Sequence, residues 1–198
     1  MQMEILQDIL TLFAILNPIG CLAVVMEMSA KMKDRERSAM VNLGAVAALM
    51  LLAFFSLIGQ KLLQDIFKIS LNDLMSAAGL ILLVISIKSI VFERFSKNEL
   101  GSLKLKNLGA VPLAFPLLVG PGALVTGVLI VQRQGIANSI FIFITAILLS
   151  WLVLRFMKVF GKLLGELGIK VISKVMYVFL GAIAVKFLAA GISAYIKG

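Results

Sequence analysis

Long apolar runs separated by short polar segments cover almost the whole chain. A helix needs about 20 mostly apolar residues to cross a bilayer, and six segments approach or exceed that length. They lie at residues 5–28, 39–62, 71–92, 110–131, 139–160 and 171–196. The pattern predicts an all-α integral membrane protein with six transmembrane helices, which are called spans one to six below.

Helix-breaking residues interrupt two of these spans near their centres. Asn-Pro-Ile-Gly occupies residues 17–20 in span one, and Gly-Pro-Gly occupies residues 120–122 in span four. Proline removes a helical N–H and clashes with the preceding turn. Backbone groups freed in this way need protein or a cavity around them when they lie in hydrocarbon. We therefore predict that helices one and four are discontinuous, with both breaks near the bilayer midplane.

The two halves of the chain share the order of their features. A break in the first span of each half is followed by Gly59 or Gly161 with a Leu-Leu pair, and then by Gly79 or Gly181 among small residues. Each half holds three spans, so two copies must cross the membrane in opposite directions. The prediction is a first three-helix repeat at 1–93, a linker at 94–109, and a second, inverted repeat at 110–198. Inverted repeats with paired helix breaks are typical of secondary transporters.

Positive charges assign the sides of the membrane. Twelve Lys and Arg residues follow spans one, three and five, whereas four lie on the opposite side. The positive-inside rule then places the central linker in the cytoplasm and both termini outside. A multi-pass protein of the cell (inner) membrane is expected. The net charge of +9 fits cytoplasmic loops and anionic lipids of the bilayer, and no nucleic-acid partner is expected.

Composition disfavours several kinds of chemistry. The chain has no histidine and one cysteine, so metal binding and His-based catalysis are not expected. No pair of acids falls at mid-membrane, and no Walker motif is present. We expect no enzyme, no metal and no cofactor. If transport is coupled to an ion, H⁺ or Na⁺ would use backbone carbonyls, Asn17 or a terminal acid.

The breaks have the composition of helix starts. Asn17 is a favourable N-cap and Pro18 a favourable first helical residue, and Gly120 with Pro121 repeats this order. A new helix N-terminus attracts an anion, while the carbonyls that end the preceding half-helix suit an ammonium group. A zwitterionic amino acid presents both groups. The predicted substrate-binding residues are Asn17, Pro18, Ile19, Gly20, Gly120, Pro121, Gly122, Ala123 and Thr126.

Four residues outside the breaks are candidates for lining a cavity. Lys186 lies within span six, where a charge marks a functional site or reaches the interface by snorkelling. Asn42, Gly79 and Gly181 either line the cavity or pack between helices.

Several motifs resemble the MarC family over nearly the whole chain. They are Asn-Pro-Ile-Gly at 17–20, Asp-Arg-Glu-Arg at 34–37, Ala-Ala-Gly-Leu-Ile-Leu-Leu at 77–83, and the run from Val111 to Ala123 that ends in Gly-Pro-Gly-Ala. The resemblance implies a six-span inner-membrane protein of the SnatA type, which moves glycine, alanine or similar amino acids. Many members carry Asp before the same proline, and Asn17 is similar in capping ability but cannot titrate.

The expected function is secondary transport of small neutral amino acids by alternating access, with the substrate held at the midplane breaks. The alternatives are an exporter of another small metabolite, a membrane-embedded enzyme and a non-transporting membrane scaffold. The missing catalytic residues disfavour an enzyme. A scaffold would not require two aligned helix breaks.

Overall fold

The computed structural model describes residues 2–30, 32–61, 66, 68–91 and 118–197. The predicted linker at 94–109 and the first part of span four lie outside the described residues. The described parts of the chain are α-helical and contain no strand. The helices are α1 (Gln2–Leu16), α2 (Pro18–Met28), α3 (Asp34–Lys61), α4 (Leu71–Val91), α5 (Pro121–Arg155) and α6 (Met157–Lys197).

Five of the described helical stretches are long and apolar enough to cross a membrane. The helices α3 and α4 agree with spans two and three to within a few residues, apart from an earlier start of α3. The sequence places two spans at 110–131 and 139–160, whereas the structure has one 35-residue helical stretch, α5, over most of that region. The difference arises because the polar segment that separates the two predicted spans is itself helical, apart from Gly135.

Two glycines change the direction of the long helices. Gly135 in α5 has φ 74° and ψ 171°, and Gly165 in α6 has φ 65° and ψ 177°. Such a backbone conformation is easily adopted only by glycine. The hydroxyl of Ser139 donates to the carbonyl of Gly135 at 2.6 Å, which satisfies a carbonyl at the kink. The helix axis is therefore kinked inside α5 at Gly135, close to the boundary that the sequence predicts between spans four and five.

The helices of the first half of the chain pack mainly against helices of the second half. Helix α4 lies along α6, α3 lies along α5, and α1 and α2 contact α5 and α6. Large side chains from both halves fill the core. The fully buried ones include Leu12, Leu16, Leu22, Leu52, Ile130, Ile142 and Phe143.

Apolar side chains also cover the outer surface of the helices. Exposed examples include Leu43, Met50, Phe54, Phe141, Ile144 and Leu148. An outer surface of this kind is unsuited to water and suits the hydrocarbon of a bilayer. The polar and broken segments are thereby confined to the interior and the ends of the bundle.

Candidate functional site

The first helix break is a single residue, Asn17, between α1 and α2. Its φ of 47° lies in the left-handed region, which Asn tolerates better than most residues with a side chain. Its N–H donates to the carbonyl of Phe13 at 3.0 Å, and its carbonyl accepts from the N–H of Cys21 at 3.1 Å. Asn17 therefore ends one helix and begins the next with both of its own backbone groups bonded.

The Asn17 side chain caps the start of α2. Its Oδ1 accepts a hydrogen bond from the N–H of Gly20 at 3.0 Å, which is the N-cap arrangement that the sequence predicts. The residue is only 3% exposed, and its Nδ2 has no hydrogen-bond partner among the described residues. A buried polar group without a partner costs about 1–3 kcal/mol. The break thus presents an unpaired donor beside a helix N-terminus.

The second predicted break lies at the start of α5, just after residues 111–117, which are outside the described ones, and it has no side-chain cap. Helix α5 begins at Pro121, and its N-cap residue Gly120 is extended, with φ −84° and ψ 178°. The Gly120 carbonyl accepts from the N–H groups of Ala123 and Leu124 at 3.0 and 3.2 Å. The hydroxyl of Thr126 donates to the Gly122 carbonyl at 2.7 Å. This break consists of backbone, with a buried hydroxyl one turn further along.

Helices from the opposite half pack against each break. At the first break, the hydroxyl of Tyr177 in α6 donates to the carbonyl of Gly20 at 2.9 Å, and that of Ser173 donates to Ile19 at 3.2 Å. At the second break, a Cβ built on Gly122 would lie 2.4 Å from Cδ1 of Leu82 in α4. A helix from the other half of the chain therefore contacts each of them, α6 at the first break and α4 at the start of α5.

The sequence analysis missed Ser173 and Tyr177. They lie four residues apart, so they share one face of α6, and both are buried. A hydroxyl pair with this spacing in an apolar span is the signal that could have identified them. Their partners lie more than 150 residues away in the chain, so the sequence did not point to the first break.

The predicted site residues fall into two groups at the breaks. Asn17, Pro18, Gly20, Gly122, Ala123 and Thr126 are buried, and Ile19, Gly120 and Pro121 are half-buried. The helices that carry them, α2 and α5, contact each other. Within the described ranges, no group of three or more His, Cys, Asp or Glu residues is placed to hold a metal ion.

The other four candidates lie elsewhere. Asn42 is exposed, and its Oδ1 accepts a hydrogen bond from Nε1 of Trp151 at 2.8 Å. Lys186 is exposed on α6. Gly79 and Gly181 lie where α4 and α6 approach each other, next to Leu188 and Ser86 respectively. These positions match helix packing for the two glycines and an outer surface for Asn42 and Lys186.

Replacing Gly20 with alanine is expected to lower the melting temperature, although alanine normally favours a helix by about 1 kcal/mol over glycine. The new Cβ would lie 2.3 Å from Nδ2 of Asn17 and would displace the capping side chain, which is worth about 1 kcal/mol. Thermal unfolding in detergent measures the effect. Gly168→Ala is the control, because its new Cβ approaches only Leu164 of the same helix, at 3.1 Å. An equally stable or more stable Gly20→Ala protein would contradict the described cap.

The fold and the breaks define a multi-pass, all-α membrane protein with a polar, buried helix interruption. The family model described as "MarC family integral membrane protein" matches residues 2–196. The chain belongs to the MarC family.

Curated relatives match over nearly their full lengths. A UPF0056 membrane protein of Methanocaldococcus jannaschii is 30% identical, over 92% of this chain and 92% of the relative. The UPF0056 inner membrane protein YhgN of Escherichia coli is 28% identical, over 98% of this chain and 99% of the relative. A UPF0056 membrane protein of Archaeoglobus fulgidus is 26% identical, over 92% and 89%. No solved structure matches the chain.

Proposed function

We propose that this protein is a secondary transporter of small neutral amino acids such as glycine and alanine. The substrate binds at the helix breaks, and the two halves of the protein expose it to each side of the membrane in turn. The observation that carries this proposal is the unpaired Nδ2 of Asn17, buried beside the N-terminus of α2. An unpaired buried donor at a helix start suits a carboxylate.

The chemistry of the break suits a zwitterion. The substrate carboxylate accepts from Asn17 Nδ2 and from the N–H of Ile19, where the partial positive charge of the helix favours an anion. Pro18 has no N–H, and the N–H groups of Gly20 and Cys21 already bond to Asn17. The ammonium group lies towards the carbonyls that end α1, which carry the opposite partial charge. The residues at the breaks, Gly20, Gly122 and Ala123, are small and buried. The side chains of Asn17 and Leu82 already lie against the two glycines, so the limited space favours a substrate with a small side chain.

The helix packing supports an inverted repeat of six spans. A Cβ on Gly79 would contact Leu188, and a Cβ on Gly181 would contact Ser86. Gly181 follows Gly79 by 102 residues, and Leu188 follows Ser86 by the same 102 residues. A two-fold axis that exchanges the two halves would therefore convert the Gly79–Leu188 contact into the Gly181–Ser86 contact. In this proposal α5 contains the second part of span four and most of span five, joined at Gly135.

The proposed location is the inner membrane, with both termini outside and the central linker in the cytoplasm. The support for this orientation is the distribution of Lys and Arg. The relative YhgN is named an inner membrane protein.

Uptake by purified protein in liposomes tests the proposal. Radiolabelled glycine and alanine are offered with an imposed H⁺ gradient, with an imposed Na⁺ gradient, and with neither. Saturable accumulation that follows one of the gradients would support the transporter and identify its coupling ion. Folded protein that shows no saturable flux under any of the three conditions would refute it.

A further inference from the structure

An ion pair between a buried carboxylate and an exposed arginine joins the two halves at one end of the bundle. Asp8 of α1 accepts a hydrogen bond from Nη2 of Arg133 at its Oδ1 and one from Nε2 of Gln134 at its Oδ2, both at 2.9 Å. The Asp8 side chain is only 8% exposed. Both carboxylate oxygens are therefore bonded to α5, next to the kink at Gly135. We call Asp8, Arg133 and Gln134 the Asp8 latch.

A second, exposed cluster joins the halves at the other end. Asp34 at the start of α3 pairs with Lys158 near the start of α6, and the hydroxyl of Ser38 accepts from Arg155 at the end of α5. The Asp34 side chain is 77% exposed. We call Asp34, Ser38, Arg155 and Lys158 the Asp34 latch.

The helix breaks lie between the two latches. Asp8 precedes Asn17 along α1 by about 14 Å, at 1.5 Å per residue. Helix α2 then continues from Asn17 for 11 residues, or about 16 Å, towards the end where Asp34 lies. Along α5, the start at Pro121 is followed by Arg133, which contacts Asp8, by the kink at Gly135, and by Arg155, which contacts Ser38. A molecule at the breaks thus has one latch on each side.

We infer that the Asp8 latch is the outer gate of the protein and the Asp34 latch its inner gate, with both closed in this structure. This inference rests on the proposed function, because a transporter must open each side in turn. Each latch connects the first half to the second, so opening a path between the halves requires its bonds to separate.

The two gates differ in strength. The Asp34 latch is a solvent-exposed pair, which contributes little and is screened by salt. In the Asp8 latch the Arg133 side chain is 60% exposed but Asp8 only 8%, so removing Arg133 leaves a buried carboxylate without its counter-charge and destabilises the closed state. In the protein without substrate, the outer gate therefore stabilises its closed state more than the inner gate does.

Cys21 provides a probe for both gates. It is the only cysteine in the chain, is buried, and lies one turn beyond Asn17 in α2. Its reaction with a membrane-impermeant maleimide is measured on right-side-out and inside-out membrane vesicles. Arg133→Ala is expected to increase labelling about tenfold from the outside only, because the buried carboxylate of Asp8 loses its charge partner in the closed state. Lys158→Ala is expected to leave labelling from the outside nearly unchanged. Any increase in labelling is expected from the inside.

The controls separate gate opening from unfolding. Arg35→Ala removes an exposed charge of α3 that belongs to neither latch, and Cys21→Ser gives the background labelling. Gln134→Ala is a milder variant of the same latch, which is used if Arg133→Ala does not elute as a single species in size-exclusion chromatography. Outside labelling at the parent rate in a folded variant of the Asp8 latch would overturn the inference. An equal increase from both sides would also overturn it.

This assay requires no substrate, so it is independent of the transport test. One-sided labelling together with no amino acid flux would support the gates and refute the proposed transport activity. Saturable flux together with unchanged labelling would support the transport activity and refute the gates.

Discussion

Replacing Asn17 with glycine is expected to reduce kcat/KM for glycine uptake by about tenfold to a hundredfold. That range corresponds to the loss of one hydrogen bond to a charged group, about 1.5–3 kcal/mol. Glycine adopts the φ of 47° found at this position without strain. It is also tolerated at an N-cap at a cost of a few tenths of a kcal/mol relative to Asn. The helix break therefore survives, and the amide group is lost.

The matched control for this variant is Asn42→Ala. It also removes a side-chain amide from a membrane helix, but Asn42 is exposed and bonds to Trp151 in α5. Uptake of labelled glycine into liposomes containing each purified variant gives the comparison. Normal uptake by Asn42→Ala with reduced uptake by Asn17→Gly is the expected result. Uptake at the parent rate by both variants would show that the Asn17 amide does not bind the substrate.

Replacing Gly79 with alanine is expected to destabilise the protein by about 1–3 kcal/mol, the usual cost of overpacking a core. The new Cβ would lie 2.7 Å from the backbone nitrogen of Leu188 and 2.8 Å from the carbonyl oxygen of Ala184. Backbone atoms of a packed helix cannot rotate away as a side chain can. Helices α4 and α6 would therefore have to separate, and we expect a lower melting temperature in detergent.

The matched variant Gly181→Ala introduces the same group on the other side of this interface. Its Cβ would lie 3.5 Å from Cβ of Ser86, which is ordinary contact, so its melting temperature should stay near that of the parent. The two substitutions are equivalent in helix propensity, and their difference isolates the close approach at Gly79. Equal melting temperatures for the two variants would contradict the described packing of α4 against α6.

Local features of the fold could be predicted from the sequence. Asn followed by Pro in an apolar run specified the N-cap at the first break, because the capping bond joins residues only three apart. The lengths of the apolar runs located α3 and α4, since a buried or lipid-facing helix must be apolar over its whole length. These inferences depended on neighbouring residues alone.

Features that depend on distant contacts could not be predicted. Tyr177 reaches Gly20 across 157 residues, and Arg133 reaches Asp8 across 125. Gly122 illustrates the limit most clearly. The sequence predicted that Gly122 binds the substrate, whereas the structure places Leu82 against it. A Gly122→Leu variant would therefore disturb packing as well as binding.

Equilibrium binding of labelled glycine to the purified protein is the most direct test of the claim that the first break binds a carboxylate. A scintillation-proximity assay in detergent measures displacement by unlabelled alanine and by glycinamide, which keeps the amino group but has an amide in place of the carboxylate. We predict saturable glycine binding that alanine displaces and glycinamide does not. Displacement by glycinamide as effective as by alanine, or no saturable binding by folded protein, would contradict the account.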